Sequence, residues 1–334
     1  MDKTRWGIIS TGYIAERFVQ SLAHVGNCEV AAVASRTQER AQVFADKYQL
    51  RKAYGSYEQL AQDPDIDVIY VATPNNRHMQ DCMMMMDAGK NVLCEKPMAV
   101  NARQVAAMIE KAKQADVFLM EGMWTRFFPA VIKGLEWVKD GSIGEARTLF
   151  ANFGIDGGDT THWKLRREMA GGSMVDVGIY PLAMAFDAFG TDFCEVSTTA
   201  HVHNGVDYCN AVTLKYPDGK IAVLGSSLTV KMENKVVICG TKGRVKIGEG
   251  YDWWRANRAE LTFSGDDPFT WSGANVVHEV PYPSVGFQFE AGAVQEYLSA
   301  GAKEAAQMPW AESLKIAQTI DKLREKWGVV YNED

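Results

Sequence analysis

A lysine, a carboxylate and a phenol stand in this sequence where their types and spacing can move a proton. The lysine is Lys96, in Asn91-Val92-Leu93-Cys94-Glu95-Lys96-Pro97, where a short apolar run stops abruptly. Pro97 fixes its own φ and biases Lys96 to an extended backbone, which gives the ammonium a defined direction. The other two lie in Gly171-Gly172-Ser173-Met174-Val175-Asp176-Val177-Gly178-Ile179-Tyr180-Pro181. The paired glycines mark a tight turn. Asp176 and Tyr180 are four apart, so on a helix they share one face. Taking a hydride from an alcohol requires that something accept the hydroxyl proton. A phenol, with an ordinary pKa of about 10, needs a nearby cation to do so near neutral pH. Lys96 is the candidate cation. Taken alone, a Lys-Pro pair reads as a surface lysine after a strand; the second cluster changes that reading.

The elements that must position these groups alternate. Apolar runs at 6–10, 29–34, 68–72, 92–94 and 117–121 read as strands. Helical periodicity is visible at 14–23, 38–48, 79–88 and 102–115. Val68-Ile69-Tyr70-Val71-Ala72 is continuous and β-branched, as in a strand covered on both faces. Repeated β-α-β with short connections predicts a doubly wound parallel sheet, a Rossmann domain over residues 1–122. Right-handed crossovers then put every strand C-terminus on one edge, where ligands bind.

Three turns on that edge suit a dinucleotide. Ser10-Thr11-Gly12-Tyr13-Ile14-Ala15 follows the first strand and aligns with GxGxxG/A, except that Ser10 replaces the first glycine. Gly12 lets backbone approach a pyrophosphate, and a helix N-terminus supplies free N–H groups. After the second strand the sequence reads Ala34-Ser35-Arg36-Thr37, without the acid that usually takes the ribose hydroxyls of NAD. Ser35 and Arg36 can instead hold a 2′-phosphate, so NADP is expected ahead of NAD. The alternative is that Arg36 is a solvated loop residue. Thr73-Pro74-Asn75 turns the chain after the third long strand, and His78 opens the next helix beside the same edge. These residues, with Glu95 and Lys96, complete the expected cofactor set.

From Pro129 a helix leads into a different pattern. Runs at 146–152, 194–202, 211–216 and 221–227 read as strands, and Tyr216-Pro217-Asp218-Gly219 joins the last two as a hairpin. A second hairpin turns at Gly240-Thr241-Lys242-Gly243. Helices at 289–300 and 310–327 close the chain. Runs of strands after a βαβ block predict an α+β domain over residues 123–334.

The chain resembles the Gfo/Idh/MocA oxidoreductases. The matching stretches are Trp6 to Gly12, Ala72-Thr73-Pro74-Asn75 with His78, Glu95-Lys96-Pro97, Gly171-Gly172 with Asp176-Val177-Gly178, and Gly240 to Gly243. Glu121 to Phe127 and Asp176 to Pro181 are similar to the branch holding dimeric dihydrodiol dehydrogenase and NADP-linked D-xylose dehydrogenase. The resemblance implies a catalytic lysine at Lys96 and an acid at Asp176. It also implies tyrosine acid/base chemistry at Tyr180, where inositol dehydrogenase-like members have His. It implies a large, mostly antiparallel second sheet whose open face packs against another subunit, as a homodimer or higher homo-oligomer. The expected activity is hydride transfer between nicotinamide and a secondary hydroxyl of a sugar, cyclic polyol or trans-dihydrodiol. Two other readings stay open: a non-catalytic dinucleotide-sensing regulator, and an enzyme that uses a retained nicotinamide transiently.

Other residues carry weaker signals. Trp124, Arg126 and Phe127, and His162 and Trp163 in the polar loop 154–167 with Arg166, are candidates for the substrate pocket or for ordinary packing. His201 and His203 share one face of a strand, but no third ligand is visible and no metal is expected. Met83 to Met86 sit within a helix and read as core. The chain of 334 residues carries 35 Lys and Arg against 42 Asp and Glu, a net charge of −7, with no basic block. Nucleic acid and anionic membrane are therefore poor partners, and a small molecule is expected. No apolar run looks long enough to span a bilayer. The six cysteines lack a CxxC, which suggests reduced thiols and a cytoplasmic protein.

Overall fold

Strand β1 (Thr4–Ile9) lies between two other strands of a parallel sheet, and its last four residues are buried. The computed structural model describes residues 3–157, 162–248, 253–267, 269–271 and 273–334. After β1 come α1 (Tyr13–Leu22), β2 (Cys28–Ala34), α2 (Gln38–Tyr48), β3 (Lys52–Tyr54), α3 (Tyr57–Ala61) and β4 (Val68–Val71). Then follow α4 (His78–Asp87), β5 (Asn91–Glu95), α5 (Ala102–Ala115) and β6 (Leu119–Gly122). The strand order is β3-β2-β1-β4-β5-β6, all parallel. All four residues of β4 are buried, in keeping with its unbroken apolar sequence. The direction of winding reverses between β1 and β4, the switch point at which such sheets bind ligands. Gly7 serves packing here: a Cβ would press on Ile69 of β4 at 2.7 Å.

The chain then builds a second compact unit. It contains α6 (Pro129–Lys139), β7 (Ala146–Gly154), α7 (Ile179–Phe189), β8 (Glu195–His203), β9 (Val206–Lys215) and β10 (Ile221–Ser227). Strands β11 (Val236–Gly240), β12 (Gly243–Ile247), β13 (Arg258–Phe263) and β14 (Asn275–Glu279) complete its sheet. The order is β14-β13-β12-β11-β7-β10-β9-β8. Every pair is antiparallel except β10 with β7. Helices α6 and α7 pack on one face. On the other, Phe150 is 45% and Ile221 37% exposed, and the register sets Val223 and Val237 beside Phe150. The helical run Arg167–Phe189 has the length and apolarity of a membrane span, contrary to the expectation from the sequence, but 94% of its apolar window is buried within the fold. Its apolarity is that of a core helix.

The chain leaves the first unit at Trp124 and returns to it for residues 283–317, which hold α8 (Phe287–Ser299) and the start of α9 (Trp310–Trp327). Phe287 stacks on Trp124 with centroids 4.3 Å apart and meets Phe18 edge-on at 5.9 Å. Phe18 in turn stacks on Tyr70 at 3.7 Å. One turn beyond Phe287 on α8, Glu290 is 0% exposed, and neither carboxylate oxygen has a hydrogen-bond partner among the described residues. Burial pushes its carboxyl well above the usual range, and the neighbouring Glu95 adds to the rise. The fold therefore accommodates Glu290 as a neutral acid.

A folded-state pKa raised above the unfolded value of about 4.3 contributes stability that is fully present in acid and is lost as the pH rises towards the folded pKa. Each unit of that difference is worth about 1.4 kcal/mol. Glu290→Gln should accordingly be more stable than the parent by at least ~1 kcal/mol at pH 8, with the gain vanishing towards pH 4. Denaturant melts across that range check it. An equal difference at both ends would show that ionisation of Glu290 is not the cause.

Candidate functional site

In the first unit every expected cofactor residue lies at or just after the C-terminal end of a strand or opens the next helix. Ser10 takes φ 96°, the left-handed region that glycine prefers, and its Oγ accepts from the Gly12 N–H at 3.2 Å. A serine in this conformation costs about 1–3 kcal/mol, so the turn demands the glycine geometry that Ser10 lacks by type. Gly12 is the extended N-cap of α1 and offers no side chain to the first N–H groups of the helix. Those donors are left for an anion. Tyr13 is 61% exposed, and Ile14 is exposed beside it.

After β2, Ser35 is buried, with its N–H donated to the Tyr54 carbonyl at 3.1 Å, and Arg36 is exposed. Thr37 caps α2 by accepting from the Arg40 N–H at 3.3 Å. After β4, Thr73 is buried and its Oγ1 has no hydrogen-bond partner among the described residues. Pro74 leads into a short helical turn that begins with the buried Asn75. An uncapped helix start and an orphaned buried hydroxyl on one sheet edge fit a dinucleotide.

His78 ties two of these loops together. Its ring nitrogens lie 2.7 Å from the Pro97 carbonyl and 2.8 Å from the Thr73 carbonyl. Only the cationic ring donates both bonds. Burial works against that cation and lowers the pKa, opposed by the two carbonyls. Glu95 accepts from the Tyr70 hydroxyl and from the Lys96 N–H, the latter at 3.2 Å. The Lys96–Pro97 bond is cis.

The second unit brings Asp176 and Tyr180 into one buried segment. Residues Met174–Gly178 form a π-helical turn that runs directly into α7. The turn is wider than the α-helix expected from the spacing, a feature common at functional sites. Both glycines before it are required. A Cβ on Gly171 would collide with the Lys164 carbonyl, and one on Gly172, at φ 130°, with Asp207. Lys164 donates to Asp176 at 2.8 Å. The Tyr180 ring sits 5.5 Å from that of Phe153, which stacks on Trp254 at 5.3 Å. Arg255 covers the Trp254 ring at 4.1 Å.

The expected pocket residues fall in several places. Trp124 stacks on Phe287 in the first unit. Arg126 is buried in the second, 3.2 Å from Asp187 and 3.4 Å from the Ala183 carbonyl, and Phe127 is buried too. His162 is exposed and accepts from the Lys164 N–H at 3.3 Å, next to the exposed Trp163. The Arg166 backbone closes the turn by accepting from the Gly171 N–H. Of the expected pocket loop, residues 158–161 lie outside those described. The His201 and His203 rings are 6.4 Å apart and both meet Tyr208. Sequence reasoning passed over Lys164, Phe153 and Trp254. The tandem Trp253-Trp254 was a usable signal; Lys164 had none beyond its place in the polar loop.

Known proteins share this sequence pattern and fold. Residues 4–123 match the model of an oxidoreductase family with an NAD-binding Rossmann fold, and residues 131–246 match the GFO/IDH/MocA C-terminal domain. Trans-1,2-dihydrobenzene-1,2-diol dehydrogenase of Danio rerio is 36% identical over 338 residues, covering 99% of this chain and 98% of that protein. The Mus musculus protein of the same name is 37% identical over 347 residues, with the same coverage. The crystal structure of aldose-aldose oxidoreductase from Caulobacter crescentus, complexed with glycerol, superposes with a TM-score of 0.86 at 27% identity, covering 98% of each chain. With both halves matched and its relatives aligned end to end, the chain belongs to the Gfo/Idh/MocA family and is an oxidoreductase.

Proposed function

We propose that this oxidoreductase is an NADP-dependent dehydrogenase of a secondary hydroxyl on a trans-dihydrodiol or a sugar. The carrying observation is the buried Tyr180, whose ring meets Phe153, itself stacked on Trp254, on the segment that also bears the Lys164-paired Asp176. An aromatic wall beside a proton acceptor suits a ring bearing a hydroxyl. The end-to-end similarity to dihydrodiol dehydrogenases supports the same substrate class.

Ser10 to Ile14, Thr73, Pro74, Asn75, His78, Glu95 and Lys96 would hold the dinucleotide, with Ser35 and Arg36 on its 2′-phosphate. When bound, NADP+ supplies the hydride acceptor. Tyr180 accepts the hydroxyl proton. Lys96 lowers the cost of the phenolate and holds the substrate oxygen. Asp176 orients them, and the Lys164 ammonium balances its charge. Trp124, Arg126, Phe127, His162 and Trp163 remain candidates for shaping the pocket. For the assembly, we infer a homodimer through the open sheet face around Phe150, Ile221, Val223 and Val237.

Three measurements test this reading. Tyr180→Phe should lower kcat by ~10²–10⁴ with trans-1,2-dihydrobenzene-1,2-diol or D-xylose as probe and leave NADP+ binding intact. A loss below tenfold removes Tyr180 from the acid/base role. In calorimetry NADP+ should bind more tightly than NAD+, and Arg36→Ala should weaken NADP+ by about tenfold while hardly changing NAD+. A parent that prefers NAD+ would refute the assignment of Arg36. In sedimentation the parent should run as a dimer and Phe150→Glu as a folded monomer. A dimeric Phe150→Glu would place the contact elsewhere.

A further inference from the structure

The residue that seats the reactive segment lies outside every motif named so far. Asp207, on β9, is fully buried, and its Oδ2 accepts two hydrogen bonds, both at 2.8 Å: the Met174 N–H and Asn210 Nδ2. Met174 is the first residue of the π-helical turn that carries Asp176. Asn210 also donates to Ser226 Oγ at 2.7 Å, and Ser226 accepts from Ser173 Oγ at 2.7 Å. Two residues at the head of the segment are thus tied to β9 and β10 through one carboxyl and one hydroxyl. Asp207 Oδ1 has no hydrogen-bond partner among the described residues and lies where a Cβ on Gly172 would be. The second glycine is therefore the opening through which this carboxyl reaches the backbone.

We propose that Asp207 is a positioning residue: by holding the Met174 N–H it fixes the turn that carries Asp176 and leads into Tyr180. This inference rests on the catalytic reading of Tyr180 given above. A helix start buried in a core must find acceptors for its first N–H groups, and here no N-cap side chain supplies one. Burial pushes the Asp207 carboxyl up to about 7, against its two hydrogen bonds and the Arg324 charge. Tyr331 faces it as well, with its hydroxyl donated to the Gly171 carbonyl and its ring under Arg324. Because Oδ2 alone takes both bonds, the protonated and ionised forms hold the segment alike. An amide with its carbonyl oxygen in that place should do the same.

The test compares Asp207→Ala and Asp207→Asn in the NADP+-bound enzyme, with trans-1,2-dihydrobenzene-1,2-diol and D-xylose as probes and Tyr180→Phe alongside. Asp207→Ala should lower kcat at least tenfold, leave the NADP+ dissociation constant within twofold, and speed amide exchange over residues 173–180 about tenfold. Asp207→Asn should recover at least a third of kcat and restore slow exchange. A folded alanine variant with kcat within threefold and parental exchange overturns the proposal. So does an asparagine variant as impaired as alanine. If alanine does not fold, Asn210→Ala, which removes one of the two donors that orient the carboxyl, should shift kcat and exchange in the same direction; no change in either overturns it. Should the parent oxidise neither probe, or Tyr180→Phe stay active, the catalytic reading fails, and amide exchange alone decides the role of Asp207.

Discussion

A helix that begins inside a protein core has N–H groups that water cannot reach. This constraint shapes the second unit. The segment is buried from Met174 to Phe186, so its start must be anchored from within. Asp207 and the Ser173–Ser226 contact provide that anchorage, and the Gly171-Gly172 pair gives the backbone room to come close. The first unit meets the same constraint in the opposite way. There the start of α1 is left uncapped at a sheet edge, and its unused donors become a place for phosphate. One helix start is closed by the protein, the other left open to a ligand.

Much of the fold was legible from periodicity. The parallel sheet followed from apolar runs separated by helical stretches, and β4 was plain because a strand buried on both faces has no polar residue to break its pattern. The second unit was legible only as a series of strands. Its order was not, because sheet order depends on contacts distant in sequence: β7 lies between β11 and β10, and the β10–β7 pairing is parallel in an otherwise antiparallel sheet. Strands β13 and β14 escaped notice because β13 carries only six residues with few strong β-formers, and β14 is mostly exposed and bears polar residues at both ends.

The candidate site divides in the same manner. Lys96, Asp176 and Tyr180 stood out because their types and spacing imply chemistry. Lys164 and Phe153 did not, since a lysine in a polar loop and a phenylalanine in a strand have many ordinary explanations. Asp207 and Glu290 were illegible for a different reason. An aspartate in a strand and a glutamate in a helix are expected at the surface, and only three-dimensional burial reveals that both are enclosed.

The return of residues 283–317 to the first unit has a consequence for how the protein comes into being. Trp310 donates its indole N–H to the Leu119 carbonyl across 191 positions of sequence, and Phe287 covers Trp124. The sheet of the first unit is fully encoded by residue 122, yet part of its packing comes from residues 283–317, made after the second sheet. On the ribosome, the nascent first unit must wait with that surface uncovered while the whole second sheet emerges. Ordered vectorial folding, in which an N-terminal domain finishes before the next begins, is closed to this chain. The dinucleotide-binding half is completed only after the whole second sheet has been made, and a product truncated before residue 283 would lack its final layer.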